Sequence, residues 1–169
     1  MEPDAYLKLV STQLEKDGNQ VSTMQLKDYT ALVGYQSKFK WSWFATKLHL
    51  FTIFISIPEL NSSLYNDALQ QALDYGLQMK GKLRGMQVGV AVLPVIVTQA
   101  VDTETQQLAE SRPNKHYAAI ITPAVIDITS NQLHTYTGKI IWGSAYTKWL
   151  RERLHASIPI FTAQTVATD

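Results

Sequence analysis

Hydrophobic and polar positions change period several times along this chain, and each change predicts an element. Tyr6, Leu7, Val10 and Leu14 recur at helical spacing, predicting a first helix capped by Asp4 and stopped by Lys16-Asp17-Gly18-Asn19. From Val21 to Ile57 the period becomes two. Tyr29, Ala31, Val33 and Tyr35 alternate with Thr30, Leu32, Gly34 and Gln36, which predicts two or three antiparallel strands with a turn within residues 37–42. Residues 51–55 are apolar on both faces, so that strand belongs in the centre of a sheet.

Pro58 ends the strand, and Asn61 or Ser62 caps a second helix with Leu64, Tyr65, Ala68, Leu69, Ala72 and Leu73 on one stripe, stopped by Gly76 or Gly81. A further strand system, residues 86–98, follows a basic loop with Lys80, Lys82 and Arg84. Thr103 and Gln106 form a capping-box signature for a short helix ending before Pro113. Two strands at residues 117–122 and 124–129 are broken by Pro123, and the turn Ser130-Asn131 leads to a hairpin partner at 133–137. Tyr146, Trp149, Leu150, Arg153 and Leu154 mark a last amphipathic helix that finishes before Pro159. Strands grouped as hairpins, yet also separated by helices, predict an α+β or mixed α/β fold: one central sheet with antiparallel hairpins and helices packed on it. The expected organisation is a single domain over residues 1–161, with a small, polar, frayed tail at 162–169.

Composition adjusts this picture in three ways. Only 17% of the 169 residues are charged, against about 25% in an ordinary soluble domain. A surface so short of charge favours self-association, and a homodimer is the expectation. The net charge of +1 argues against a strong, non-specific polyanion binder. The absence of cysteine removes disulfides, thiolate zinc sites and cysteine nucleophiles, and suits a reducing cytoplasm. The most apolar windows, residues 48–57 and 88–97, fall short of the roughly 20 residues a membrane-spanning helix needs. With an acidic, polar start in Glu2 and Asp4, they indicate a soluble cytoplasmic protein with no membrane partner.

Candidate chemistry concentrates where the sheet pattern begins. Lys38 and Lys40 are set among Tyr35, Phe39, Trp41, Trp43 and Phe44, and no acidic residue occurs from 35 to 57. Single-stranded nucleic acid binds where bases stack on aromatic rings and cations follow the phosphates. Lys38, Lys40, Trp41, Trp43 and Lys47 supply both, joined by Lys82 and Arg84 where the fold brings that loop near. Residues 29–101 hold six Lys/Arg and three Asp/Glu, so the basic surplus is local. The alternative is a twisted hairpin whose tryptophans cover the core or a dimer contact, and this reading is favoured.

A second constellation concerns nuclease chemistry. Asp28 is followed by Gln36-Ser37-Lys38, and Gln71-Ala72-Leu73-Asp74-Tyr75 has the form Q-x-x-x-Y. With the helix–strands–helix–strand order of the first half, this resembles the restriction-endonuclease-like fold. The resemblance implies an acidic residue and a D/E-x-K on the next strand, together holding a divalent ion and orienting a water. This chain departs from it: Gln36 replaces the acid of the D/E-x-K, and residues 47–57 contain no carboxylate.

The histidines offer less. No two of His49, His116, His134 and His155 stand at a metal-ligand spacing, and neither a metal nor a cofactor is expected. His134 is placed to face Asp127 across the Ser130-Asn131 turn, as a polar pair or as the base half of a dyad. His49 reads as a hydrogen-bonded interior or edge histidine, and Gly143-Ser144-Ala145 as a helix N-cap rather than a nucleophile turn. Trp142, Tyr146 and Trp149 most simply anchor the last helix to the sheet, with the lining of a shallow pocket as their alternative use. The glycines at 81, 85 and 89 lack phosphate-cradle spacing. The expected function is therefore a non-enzymatic binding or scaffolding module that self-associates through residues 38–47. The alternative is a nucleic-acid-processing protein with a degraded restriction-endonuclease-like fold, and a hydrolase built on Asp127 and His134 ranks last.

Overall fold

The computed structural model describes residues 2–43, 46–82, 88–114, 119–138 and 144–159, with backbone alone at 81–82 and 144–145. Four helices flank a mixed sheet. They are α1 (Pro3–Lys16), α2 (Ser62–Lys82), α3 (Thr103–Glu110) and α4 (Ser144–Ser157). The sheet is built from β1 (Gln20–Gln25), β2 (Thr30–Lys40), β3 (Thr46–Ser56), β5 (Val88–Thr98), β7 (Ile120–Ile121), β8 (Ala124–Asp127) and β9 (Gln132–Thr135). A small parallel pair, β4 (Glu59–Leu60) and β6 (Ala100–Val101), stands apart.

The order across the sheet is β1-β2-β3-β5-β8-β9. β1, β2 and β3 form an antiparallel meander, and α2 then carries the chain over to β5, which lies parallel to β3. β8 is parallel to β5 and β9 closes the far edge antiparallel. β3 therefore has neighbours on both sides and helices on both faces, which is why residues 48–55 are buried without alternation.

Alternation along the strands sorts the core into two layers. His49, Phe51, Ile53 and Ile55 face α2 and α3, where the buried apolar members of the strand meet Tyr65, Ala68, Ala72, Leu73 and Ala109. Leu48, Leu50 and Phe54 face α1 and α4, meeting Tyr6, Val10, Leu14, Trp149, Leu150 and Leu154. Arg153 of α4 donates to both carboxylate oxygens of Asp17 at 2.7 and 2.8 Å, and Gln13 donates to the carbonyl of Ala156, so α1 and α4 are held side by side.

One interruption in the sheet has a simple cause. β7 and β8 pair with β5 in a single register, Ile121 opposite Val92 and Ala124 opposite Val95. The gap falls at Thr122-Pro123, opposite Leu93 and Pro94. Thr122 donates to Val92, so the backbone of residue 94 points toward the same neighbour, and proline has no N–H to give it.

Several local expectations need correction. α1 begins at Pro3, with Glu2 in the cap position and Asp4 already in its first turn. α3 is capped one residue earlier than the Thr103 signature implies: Asp102 accepts from the N–H of Thr105, and Gln106 reaches the carbonyl of Val101. α2 runs through Gly76, because a Cβ there would run into the Val92 side chain and only glycine lets the helix sit this close to β5. Asn61 does cap α2, accepting from Leu64. The frayed tail expected at 162–169 lies outside the described residues, as do His116 and Trp142.

Candidate functional site

β1 begins at Gln20, opposite Tyr35, so beyond that point β2 has a neighbour on one side only among the described residues. Its last residues continue antiparallel to β3 as far as Lys40 opposite Thr46, and Trp41–Trp43 then form a single 3-10 turn. A half-paired hairpin end cannot bury both faces, and residues 37–42 are exposed.

The two tryptophans of this segment have opposite fates. Trp43 is 3% exposed and packs against Trp149 at 5.3 Å and Tyr146 at 4.9 Å between ring centroids. It is part of the core under α4. Trp41 is 81% exposed, with its only described ring neighbour Phe39, itself 48% exposed, edge-on at 5.5 Å and 81°. Edge-to-face geometry leaves a face of the indole open while holding the ring in place. The sequence-based choice between buried and exposed tryptophans is thus answered separately for each.

The lysines divide by strand face. Lys38 and Lys40 point to the α4 side, with Nζ 5.8 Å from the Trp149 ring and 5.0 Å from the Trp43 ring. These are cation–π contacts, in which each ammonium group lies over the ring of a buried tryptophan. Lys47 stands opposite Phe39 on the other face. No carboxylate lies within ion-pair distance of Lys38, Lys40 or Lys47 among the described residues. Lys82 ends α2 with its side chain outside the described set, and Arg84 lies wholly outside it. The chain returns at Val88, paired with Lys47, so α2 leads back to the same end of the sheet.

Beneath the tip His49 is the hydrogen-bonded interior histidine expected, and its partner Tyr35 is what sequence reading missed. Tyr35 Oη and His49 Nδ1 lie 2.8 Å apart, and Tyr35 also touches the Phe51 ring, which meets Tyr75 edge-on. His49 is 6% exposed, and burial, with a smaller contribution from Lys47, pushes its pKa below the ordinary histidine value. Only the β2–β3 register reveals this contact, since the two residues are not directly opposite.

The nuclease-like constellation is not assembled. The first half does run helix, three antiparallel strands, helix, parallel strand. Asp28, however, sits in the β1–β2 turn, where its N–H donates to Gln71 Oε1 and its carboxylate accepts from Gln71 Nε2 at 2.7 Å. Asp67 accepts from the same Gln71 nitrogen and from the Tyr29 hydroxyl. Lys38 lies eight positions beyond Thr30, roughly 26 Å away along an extended strand at about 3.3 Å per residue. Gln36 donates to Asn19 instead. Asp28 and Gln71 therefore fasten a turn to a helix, far from Lys38.

His134 also differs from expectation. It pairs in register with Val125, and its Nδ1 lies 2.7 Å from Glu110 at the end of α3. Asp127 accepts from the N–H groups of Thr129 and Ser130, so it shapes the turn and does not orient the imidazole. No group of His, Asp and Glu capable of holding a metal occurs among the described residues, and no described helix is long and apolar enough to cross a membrane. No family model matches the chain, and neither does any curated protein or solved structure.

Proposed function

We propose that this chain is a non-enzymatic binding module whose contact surface is the open end of the β2–β3 hairpin, and that its partner is single-stranded nucleic acid. The observation that supports this is Trp41, an 81% exposed indole steadied by Phe39 beside lysines that have no ion-pair partner among the described residues. Such a ring takes a base on its face, while Lys38, Lys40 and Lys47 follow the phosphates. The small net charge of +1 keeps the attraction local and the affinity modest. A cysteine-free sequence suits a reducing cytoplasm.

Fluorescence anisotropy with a labelled oligonucleotide, at two salt concentrations, tests the proposal. Three lysine–phosphate contacts give a slope of log K against log salt of roughly −2 for single strands, and Lys38→Ala should make it shallower by about 0.7. Absence of binding at low salt would sink it. A second reading assigns the same segment to self-association, with the exposed rings of two copies stacked together. It has less support, since a twofold contact there sets three lysines against three.

A further inference from the structure

Among the described residues β1 is an open edge of the sheet, and its sequence lacks the devices by which edge strands avoid pairing. Gln20-Val21-Ser22-Thr23-Met24-Gln25 carries no charge, no proline and no bulge, and its register with β2 is unbroken. The opposite edge, β9, is shorter at four residues.

Hydrogen-bond phase shows which groups this edge offers. Leu26 donates to the carbonyl of Tyr29 across the β1–β2 turn, so Leu26 and Tyr29 are a bonded pair. Alternation makes Met24, Ser22 and Gln20 the residues bonded to β2, and turns the N–H and C=O of Val21, Thr23 and Gln25 outward.

We propose that a second copy of the chain docks on this edge, β1 pairing antiparallel with its twin about a twofold axis at Thr23. An axis perpendicular to the sheet keeps equivalent faces together and requires partners of equal parity. Thr23 then meets Thr23 of the other copy, and Val21 meets Gln25. All the outward groups are used, giving about six N–H···O bonds. Ser22 meets Met24 on the other face, and no like charges are brought together along the strand.

The α1 side supplies a complementary surface. A groove of about 410 Å³ beside Thr23 is lined by Asp4, Leu7, Lys8 and Ser11 of α1 and by Thr30 and Leu32 of β2. The twofold sets two such grooves side by side and reverses the partner's helix, so the acid of one faces the base of the other. A contact of one short strand and one helix flank is small, and a weak, concentration-dependent dimer follows. This surface is separate from the hairpin tip, so the two proposals stand or fall independently.

Sedimentation equilibrium over concentrations of about 5 to 500 µM tests it. The mass should rise toward twice the 19.0 kDa of the chain. Thr23→Pro removes two intermolecular bonds yet spares the β2 ladder, because the Thr23 N–H points outward. Thr23→Lys sets two cations on the axis and covers the case in which proline prevents folding. Both should stay at 19.0 kDa with circular dichroism unchanged. In hydrogen exchange, the amides of Val21, Thr23 and Gln25 should gain protection with concentration in the parent chain alone. A monomeric parent throughout the range overturns the proposal. So does a dimer that survives Thr23→Lys, or one lost in Trp41→Ala but not in the Thr23 variants. Protection of these amides only on adding another protein to a monomeric chain overturns it too.

Discussion

Trp41 and Trp43 are two residues apart in sequence, and replacing each with alanine should produce opposite results. Trp43 is 3% exposed and carries ring contacts to Tyr146 and Trp149 as well as the Lys40 ammonium group. Removing a buried indole of this kind costs about 3–5 kcal/mol, a large share of the 5–15 kcal/mol typical of a whole domain. At about 2–4 °C per kcal/mol for a chain of this size, the midpoint of thermal unfolding should fall by roughly 10 °C. Trp41, at 81% exposure, has among the described residues a single ring contact, edge-on with Phe39, so Trp41→Ala should stay within about 0.5 kcal/mol of the parent. Its loss should appear in binding. A stacked base is worth about 1–3 kcal/mol, which is about a 5- to 150-fold weaker oligonucleotide affinity. Circular dichroism melts and urea titrations measure the first quantity, since neither depends on tryptophan emission, and anisotropy measures the second. If both variants lose similar stability, the hairpin tip is packed against something and the division between core and contact surface is wrong. If Trp41→Ala binds like the parent, the exposed indole is not the stacking platform.

Four further outcomes follow from the packing. Gly76→Ala should destabilise by about 1–2 kcal/mol, because overpacking against Val92 outweighs the roughly 1 kcal/mol gain in helix propensity; equal or greater stability in a urea titration counts against it. In a double-mutant cycle, Val92→Ala should relieve part of that cost. The lowered pKa of His49 means that the unfolded chain takes up a proton as pH falls through 6.5 while the folded chain does not. Stability from this group is full above pH 6.5 and declines below it, and an NMR titration midpoint at or above 6.5 would refute this. Asp17→Ala should cost about 1–3 kcal/mol by leaving Arg153 without its carboxylate, and a loss below 0.5 kcal/mol would show that the α1–α4 contact does not depend on it. Asp28→Ala should loosen the β1–β2 turn, seen as faster amide exchange near Leu26, and leave oligonucleotide affinity unchanged; a matching loss of affinity would return Asp28 to the binding surface.

Much of the fold was legible because it is written in local periods. The alternation from Tyr29 to Gln36 became β2, the doubly apolar run at 51–55 became part of the central β3, and the Leu64–Leu73 stripe became α2. Helix ends were less legible, since a cap is decided by one hydrogen bond. Asp102 holds the Thr105 N–H, one residue before the Thr103 that the sequence pattern pointed to. Gly76 reads as a stop unless the closeness of β5 is known. The lysine and aromatic residues of the site were visible as a cluster, and what they do was not. Alternation alone does not reveal that the β1 pairing reaches only as far as Tyr35 of β2, which is what exposes the tip.

The sequence by itself determined the α+β class, the central place of residues 51–55 and the acid-free, basic and aromatic character of the segment before them. These are properties of neighbouring residues and of period. Tertiary structure alone decided that Trp43 is core while Trp41 is surface, that Asp28 belongs to Gln71 and not to Lys38, and that His134 faces Glu110 rather than Asp127. Each of these depends on register and on which element crosses which, distances set by strands and helices far apart in the chain.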